Sequence, residues 1–343
     1  AQAVGLDFRH VNGMSGQFWF VENVGGGVAL FDYDNDGDLD VYLTQGQRLG
    51  QPPDPKLRDR LYRNDLGTGP YGRPRSAFTD VTEASGIRAL GYGMGVAAAD
   101  YDNDGWIDLY VLNFGPNQLW RNLGDGRFEE VSAPAGAQET GWSVSASFTD
   151  YDRDGWLDLF IGNYADYSLD KDRKCYAPNS ARDYCSPKMY PALPDRLLHN
   201  LGDGRFEDVS EAAGIRRAQG PALGVIGADL NGDGRPDFYV ANDAHPNQLW
   251  LNQGGGRFRD EALLAGVAVN MEGVAEASMG VDAGDFDGDG DLDLFMTHLL
   301  GETNTLYVND GGGLFDDRTS SSGLGAPSIG RTSWGTRFFD YDN

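Results

Sequence analysis

Asp32-Tyr33-Asp34-Asn35-Asp36-Gly37-Asp38-Leu39-Asp40 sets an acidic side chain at every odd position of a nine-residue phrase that turns at glycine. The phrase returns at 100–108, 150–158, 229–237 and 285–293, and a sixth copy opens at Asp340-Tyr341-Asp342-Asn343, where the sequence stops. Its surroundings return with it. Upstream of each copy lies a run rich in small residues: Gly27–Phe31, Gly95–Ala99, Ser143–Phe148, Gly224–Ala228 and Gly280–Gly284. Downstream lies an apolar run: Leu39–Leu43, Ile107–Leu112, Leu157–Ile161, Phe238–Ala241 and Leu292–Met296. A third run ends each time in asparagine, at Asn64, Asn122, Asn200, Asn252 and Asn309, and a fourth is anchored by Phe78, Phe128, Phe206, Phe258 and Phe315. Short apolar or alternating runs bounded by glycine predict strands. Four of them in each repeat of roughly 50 residues is the signature of a β-propeller blade.

The expected fold is therefore all-β, a propeller of four-stranded blades with five blades complete and a sixth truncated. Residues 1–343 are read as one domain, with insertions at 45–60 and 164–195. The small residues of the first strand suit a crowded axis between neighbouring blades. Gly124-Asp-Gly126 and Gly202-Asp-Gly204 predict hairpin turns, because glycine accepts the positive φ such turns require. Helical periodicity is almost absent. Leu6–Val11 aligns with the fourth-strand phrase and predicts an orphan outer strand that closes the ring and so removes a sheet edge.

The nonapeptide has the donor set of a calcium loop. Side-chain oxygens converge from position one (Asp32, Asp100, Asp150, Asp229, Asp285), position three (Asp34, Asp102, Asp152, Asn231, Asp287), position five (Asp36, Asp104, Asp154, Asp233, Asp289) and position nine (Asp40, Asp108, Asp158, Asp237, Asp293). Position seven holds Asp38, Trp106, Trp156, Arg235 and Asp291, a mixture expected where the backbone carbonyl is the ligand. Position eight, from Leu39 to Leu292, is expected to point into the blade. Hard oxygen donors in flexible number select Ca²⁺ over Zn²⁺ or copper, whereas Mg²⁺ prefers fewer protein ligands. An EF-hand is excluded, since position twelve is Leu43, Val111, Ile161, Val240 or Met296 and lies within a predicted strand. Solvated Asp-Gly turns are the bland alternative. Five copies in register, each crowding like charges, favour a cation instead. About five structural Ca²⁺ are expected, one per complete blade.

These loops and the Phe/Gly phrases resemble FG-GAP/VCBS repeats of the integrin-α type. The opening Gly5-Leu-Asp-Phe8-Arg-His10-Val-Asn12-Gly13 with Gly25–Phe31 is similar to the cartilage acidic protein and ASPIC/UnbV family. The resemblance implies a secreted or periplasmic calcium-binding propeller, typically of seven blades and often followed by a small C-terminal domain. By that standard the sequence is expected to be a fragment.

Composition agrees with cation binding. The 343 residues carry 53 Asp+Glu against 27 Lys+Arg, a formal charge of −26, which repels nucleic acid and anionic lipid. Five Ca²⁺ would bring that charge to about −16. No apolar run is long enough for a membrane helix. Cys175 and Cys185 fall in one polar insertion and predict a local disulfide, hence an oxidising compartment. The four histidines are scattered over different repeats as surface residues, and no hydrolase, NTPase or zincin motif stands out, so no enzyme is expected. Tyr164, Tyr167, Tyr176, Tyr184 and Tyr190 make the larger insertion a candidate interface, since tyrosine offers contact area with a polar tip; the alternative is a loop folded onto its own blade. The expected role is binding a protein partner or building a larger extracytoplasmic assembly. Glycan binding or calcium-dependent sugar chemistry is the second reading.

Overall fold

A computed structural model of the chain describes residues 1–65, 67–68, 74–75 and 77–339, so the sixth copy at 340–343 lies outside the described residues. Five four-stranded antiparallel sheets follow one another, each joining its strands in sequence order. Their strands are Val28–Phe31, Asp40–Leu43, Arg60–Asn64 and Phe78–Asp80 in the first module, and Gly93–Ala99, Asp108–Asn113, Gln118–Asn122 and Phe128–Glu130 in the second. The third has Ser143–Thr149, Asp158–Asn163, Arg196–Asn200 and Phe206–Asp208. The fourth has Ala222–Ala228, Asp237–Asn242, Gln248–Asn252 and Phe258–Asp260, and the fifth Val281–Gly284, Asp293–Met296, Thr305–Asn309 and Phe315–Asp317. The four predicted runs of every repeat are thus its four strands.

The chain divides into two compact units. One comprises Ala1–Val144, Tyr167–Ser186 and Asn200–Phe206; the other comprises Ser145–Asp166, Pro187–His199 and Glu207–Asn343. Within the second unit, the second strand of the fourth module shows why these runs are apolar on both faces. Phe238 and Val240 pack with Phe160, Leu197, Trp250 and Phe258. Tyr239 and Ala241, facing the other way, pack with Leu294, Met296 and Tyr307. A strand covered on both sides loses the polar alternation of a half-exposed one, and each fully buried side chain of this size contributes about 1.5–3 kcal/mol.

The small residues of the first strands have a steric reason. A Cβ on Gly27 would lie 2.7 Å from Gly95 Cα, and one on Gly224 would lie 2.5 Å from the Met279 carbonyl oxygen. Neighbouring first strands therefore approach closer than any side chain permits.

Several expectations need correction. Leu6–Val11 forms no strand. Its backbone is held irregularly by side chains: Tyr62 donates to the Asp7 carbonyl at 3.0 Å, Gln45 donates to the Arg9 carbonyl at 3.1 Å, and the Val11 amide donates to Gln45 Oε1 at 2.7 Å. One-turn helices, invisible to periodicity because they are too short, follow the fourth strand at Thr82–Ser85, Ser210–Ala213, Ala262–Ala265 and Thr319–Ser322. Leu39 is 56% exposed rather than turned into its sheet. His298 is 1% exposed and so is not a surface residue. Burial lowers its pKa to about 4.

Within the 164–195 insertion three of the five tyrosines turn inward and so leave the predicted interface. Tyr164, Tyr167 and Tyr190 are buried. Tyr164 donates a short hydrogen bond to Asp243, and Tyr167 packs against Phe20, Phe114 and Trp142. Tyr176 stays exposed, while Tyr184 is half-buried beside Phe18. Cys175 and Cys185 form a disulfide with 5.1 Å between their Cα atoms, and Cys175–Tyr176 pairs with Arg182–Asp183 in a small hairpin beneath it.

Candidate metal centres

Each nonapeptide leaves the first strand and re-enters at the second, and its backbone is wound by its own carboxylates. In the first loop Asp32 accepts from the Asp36 amide at 3.1 Å and from the Gly37 amide at 2.8 Å, while Asp36 accepts from the Asp38 amide at 3.0 Å. The same bonds recur in the second loop, at Asp100 and Asp104, and in the fourth, at Asp229 and Asp233. Such winding requires two left-handed residues. Glycine supplies one at position six in every loop, with φ from 82° at Gly234 to 97° at Gly290. Position four, which sequence reading passed over, supplies the other: Asn35, Asn103 and Arg153 have φ of 57°, 56° and 66°, and the fourth and fifth loops use Gly232 and Gly288. Asparagine tolerates this region through its short polar side chain, whereas arginine is strained there.

The wound loop brings together the predicted donors of positions one, three and five. Carboxylate oxygens of Asp32, Asp34 and Asp36 lie within 4.8 Å of one another, as do those of Asp150, Asp152 and Asp154, and of Asp285, Asp287 and Asp289. In the second loop the cluster is Asp100, Asp102 and Asp108. The position-three oxygens Asp34 Oδ1 and Asp102 Oδ1 are buried without a hydrogen-bond partner. Burial raises the pKa of both groups and the neighbouring loop carboxylates raise it further, against a partial opposing pull from Arg63 on Asp34 and from Arg121 on Asp102. A buried acceptor aimed among like charges is costly unless a cation meets it. Carboxylates in this arrangement suit a hard divalent ion, so the residues present fit Ca²⁺.

Position nine has a second task. Asp40, Asp108, Asp158, Asp237 and Asp293 are fully buried. Asp40 accepts from the Tyr33 amide at 2.9 Å with one oxygen and from the Asn64 amide at 2.7 Å with the other, tying the loop to the third strand. Desolvation raises its pKa to about 6, that of Asp237 to about 7 and that of Asp108 to about 8.

The asparagine ending each third strand is a structural residue that sequence reading recorded without a role. Asn122 Nδ2 donates to the Ile107 carbonyl of its own loop at 3.2 Å and to the Tyr33 carbonyl of the preceding loop at 2.8 Å, while its Oδ1 accepts from the Gly124 amide at 3.1 Å. Asn252 and Asn309 repeat all three bonds, reaching back to Tyr151 and Leu230, and Asn200 reaches back to Tyr101. Its recurrence in all five repeats was the available signal.

One position before that asparagine, the modules diverge. Arg121 ion-pairs with Asp102 at 2.6 Å and Asp104 at 3.1 Å, and so lies on the second loop. Arg63 turns instead to Asp65 at 2.7 Å. His199 Nδ1 lies 3.0 Å from Asp158 and 3.5 Å from Asp152. Leu251 and Val308 offer no charge, although Arg235 of the fourth loop ion-pairs with Asp233 at 2.5 Å. No cationic side chain pairs with the fifth loop among the described residues.

Part of the chain is similar to known proteins. Over 109 residues the chain is 34% identical to cartilage acidic protein 1 of Homo sapiens, 33% to that of Mus musculus and 32% to that of Xenopus tropicalis. Each match takes in 31% of this chain but only 16% of the relative, so the chain matches a small part of the length of these relatives. Among solved structures, an Agrocybe aegerita lectin that recognises non-reducing terminal N-acetylglucosamine aligns over 85% of this chain and 64% of its own, with 20% identity and a TM-score of 0.46. The V. cholerae biofilm matrix protein Bap1 aligns over 85% of this chain and 38% of its own, with 15% identity and a TM-score of 0.37. The FG-GAP-like repeat matches at 32–111, 100–161, 189–240 and 229–296, more than half of the sequence, and the chain belongs to that repeat family.

Proposed function

We propose that the protein is a non-enzymatic, calcium-binding β-propeller of the extracellular or periplasmic space, a rigid module that binds another protein or builds a larger assembly. The observation that carries the calcium reading is the pair of buried, partnerless oxygens Asp34 Oδ1 and Asp102 Oδ1 among converging carboxylates. In the first loop Asp32, Asp34 and Asp36 would hold the ion, with equivalent residues elsewhere. Once bound, Ca²⁺ supplies the positive charge that lets these side chains stay close, and its role is structural. The Cys175–Cys185 disulfide and the homology to cartilage acidic protein 1 support the extracytoplasmic location. Partner binding falls to loops displayed by the rigid sheets, and Tyr176, 61% exposed on the disulfide-held hairpin, is the contact to test first.

Calcium titration by calorimetry, repeated on Asp34→Asn and Asp102→Asn, tests this reading. Each substitution is expected to remove or weaken one site. Failure of the unaltered protein to bind Ca²⁺ in the millimolar range would overturn it.

A further inference from the structure

The irregular N-terminal segment lines a cavity of about 600 Å³ that is open to solvent, formed by residues 9–15 together with Arg48, Leu49 and Gln51. Its charge is opposite to that of the chain around it. The arginines Arg9 and Arg48 line it, with His10, whose pKa burial lowers towards the neutral ring, and no acidic residue is among the lining residues. In a protein of net charge −26, many arginines elsewhere meet acid, as Arg58 meets Glu83, Arg121 meets Asp102 and Arg196 meets Asp208. Arg9 and Arg48 form no ion pair among the described residues, and His10 Nε2 is a buried atom without a hydrogen-bond partner. Both arginines are exposed and line the same cavity, so an anion there would meet two guanidinium groups that no acidic side chain occupies.

The wall is also built to hold still. Glu22, 3% exposed, accepts from the Ser15 amide at 3.0 Å and from the Ser15 hydroxyl at 2.8 Å, and Tyr184 donates to its other oxygen at 3.2 Å. Tyr92 donates to the Asn12 carbonyl at 2.5 Å, and the buried Gln45 holds the backbone at Arg9 and Val11. These bonds explain why Leu6–Val11 is not a strand: its backbone groups are committed to side chains that shape the cavity. Gly46 and Gly13 permit the tight fit, since a Cβ on Gly46 would lie 2.3 Å from the Val11 carbonyl oxygen and one on Gly13 would lie 2.1 Å from that of Gln47.

From this geometry we infer that the cavity between residues 9–15 and 48–51 is a binding site for a small organic carboxylate. Its volume lies in the range of small-molecule sites. Guanidinium forks take planar carboxylates in paired hydrogen bonds, and Val11 and Leu49 add apolar wall for the carbon skeleton. This inference does not depend on calcium being structural.

Calorimetry on the calcium-loaded protein tests it, with glucuronate and glutarate as carboxylate probes, inorganic phosphate as the alternative anion and glucose as the neutral control. One or both carboxylates are expected to bind, and glucose is not. Arg9→Gln and Arg48→Gln are each expected to weaken binding by roughly tenfold or more, the loss of one charge-assisted contact. Arg331→Gln, outside the cavity, is expected to leave it unchanged. An unshifted melting temperature in each variant separates loss of the site from loss of the fold. No carboxylate binding, equal binding in the Arg9 and Arg48 variants, or preference for phosphate would each overturn the assignment.

Discussion

The second and fifth loops share a nonapeptide and a winding but differ in where their positive charge comes from. The second loop is half-buried at Asp102 and carries Arg121 on Asp102 and Asp104. The fifth is exposed at Asp285, Asp287 and Asp289, and Val308 stands where Arg121 does. One loop therefore has part of its counter-charge built in, whereas the other has no cationic side chain paired with it among the described residues. Loops wound alike need not carry equal charge, and the residues that set the difference lie both inside the loop, Trp106 against Asp291 at position seven, and on the third strand, Arg121 against Val308.

The largest expected effect is that of chelation. A site held at a thousandfold excess of ligand over its dissociation constant contributes about 4 kcal/mol, so removing calcium should lower the melting temperature by well over ten degrees. Hydrogen exchange read loop by loop should show the fifth loop losing more protection than the second. Equal loss in the two would break the comparison.

Next comes the asparagine both modules share. Asn122→Ala and Asn309→Ala each strand buried carbonyl and amide partners that cost about 1–3 kcal/mol apiece. Denaturant titration should show both variants destabilised by several kcal/mol, with and without calcium. If only the calcium-loaded protein were affected, the asparagine would act through the metal and not as a clasp.

The third module sharpens the comparison through pH. Asp195 accepts from the Asn163 amide at 2.9 Å at a position where the second and fifth modules use Asn117 and Asn304 for the same bond. Desolvation raises its pKa from 3.8 to about 8. The folded protein thus retains a proton that the unfolded chain releases near pH 4. Stability from this group is fully present below that pH, declines by about 1.4 kcal/mol per pH unit as pH rises, and is gone above about pH 8. Asp195→Asn should flatten that slope in melts run from pH 5 to pH 8, and an unchanged slope would place the titration elsewhere.

The smallest effect is a transplant. Val308→Arg gives the fifth loop the second loop's cation and should reduce its loss of protection on chelation by up to about 1 kcal/mol, the usual worth of an exposed ion pair.

Much of this was legible in the sequence, for a physical reason. The five loops and their flanking runs recur in register, so strand order, turn glycines and the donors at positions one, three and five are each stated five times over. What repetition could not convey was the fate of residues that differ between copies. Arg63, Arg121 and His199 align, yet Arg63 turns to Asp65 while Arg121 and His199 meet aspartates of their own loops, because partner choice depends on side-chain reach and not on strand register alone. The segment 6–11 matched a strand phrase, but Tyr62 and Gln45 from distant positions claimed its backbone groups. The tyrosines of the insertion were read by composition, and composition is silent on whether a ring turns outward, as Tyr176 does, or inward against Trp142, as Tyr167 does.

The backward reach of the asparagines gives the chain a direction. Asn122, Asn200, Asn252 and Asn309 each finish the loop of the module before them, so a loop completes its bonding only after the next module has been synthesised. A nascent chain emerging from the ribosome would therefore always trail one unfinished loop behind its growing end. Deleting a module would leave a different scar on each side of the cut: an idle amide where the predecessor is gone, and a bare carbonyl where the successor is gone.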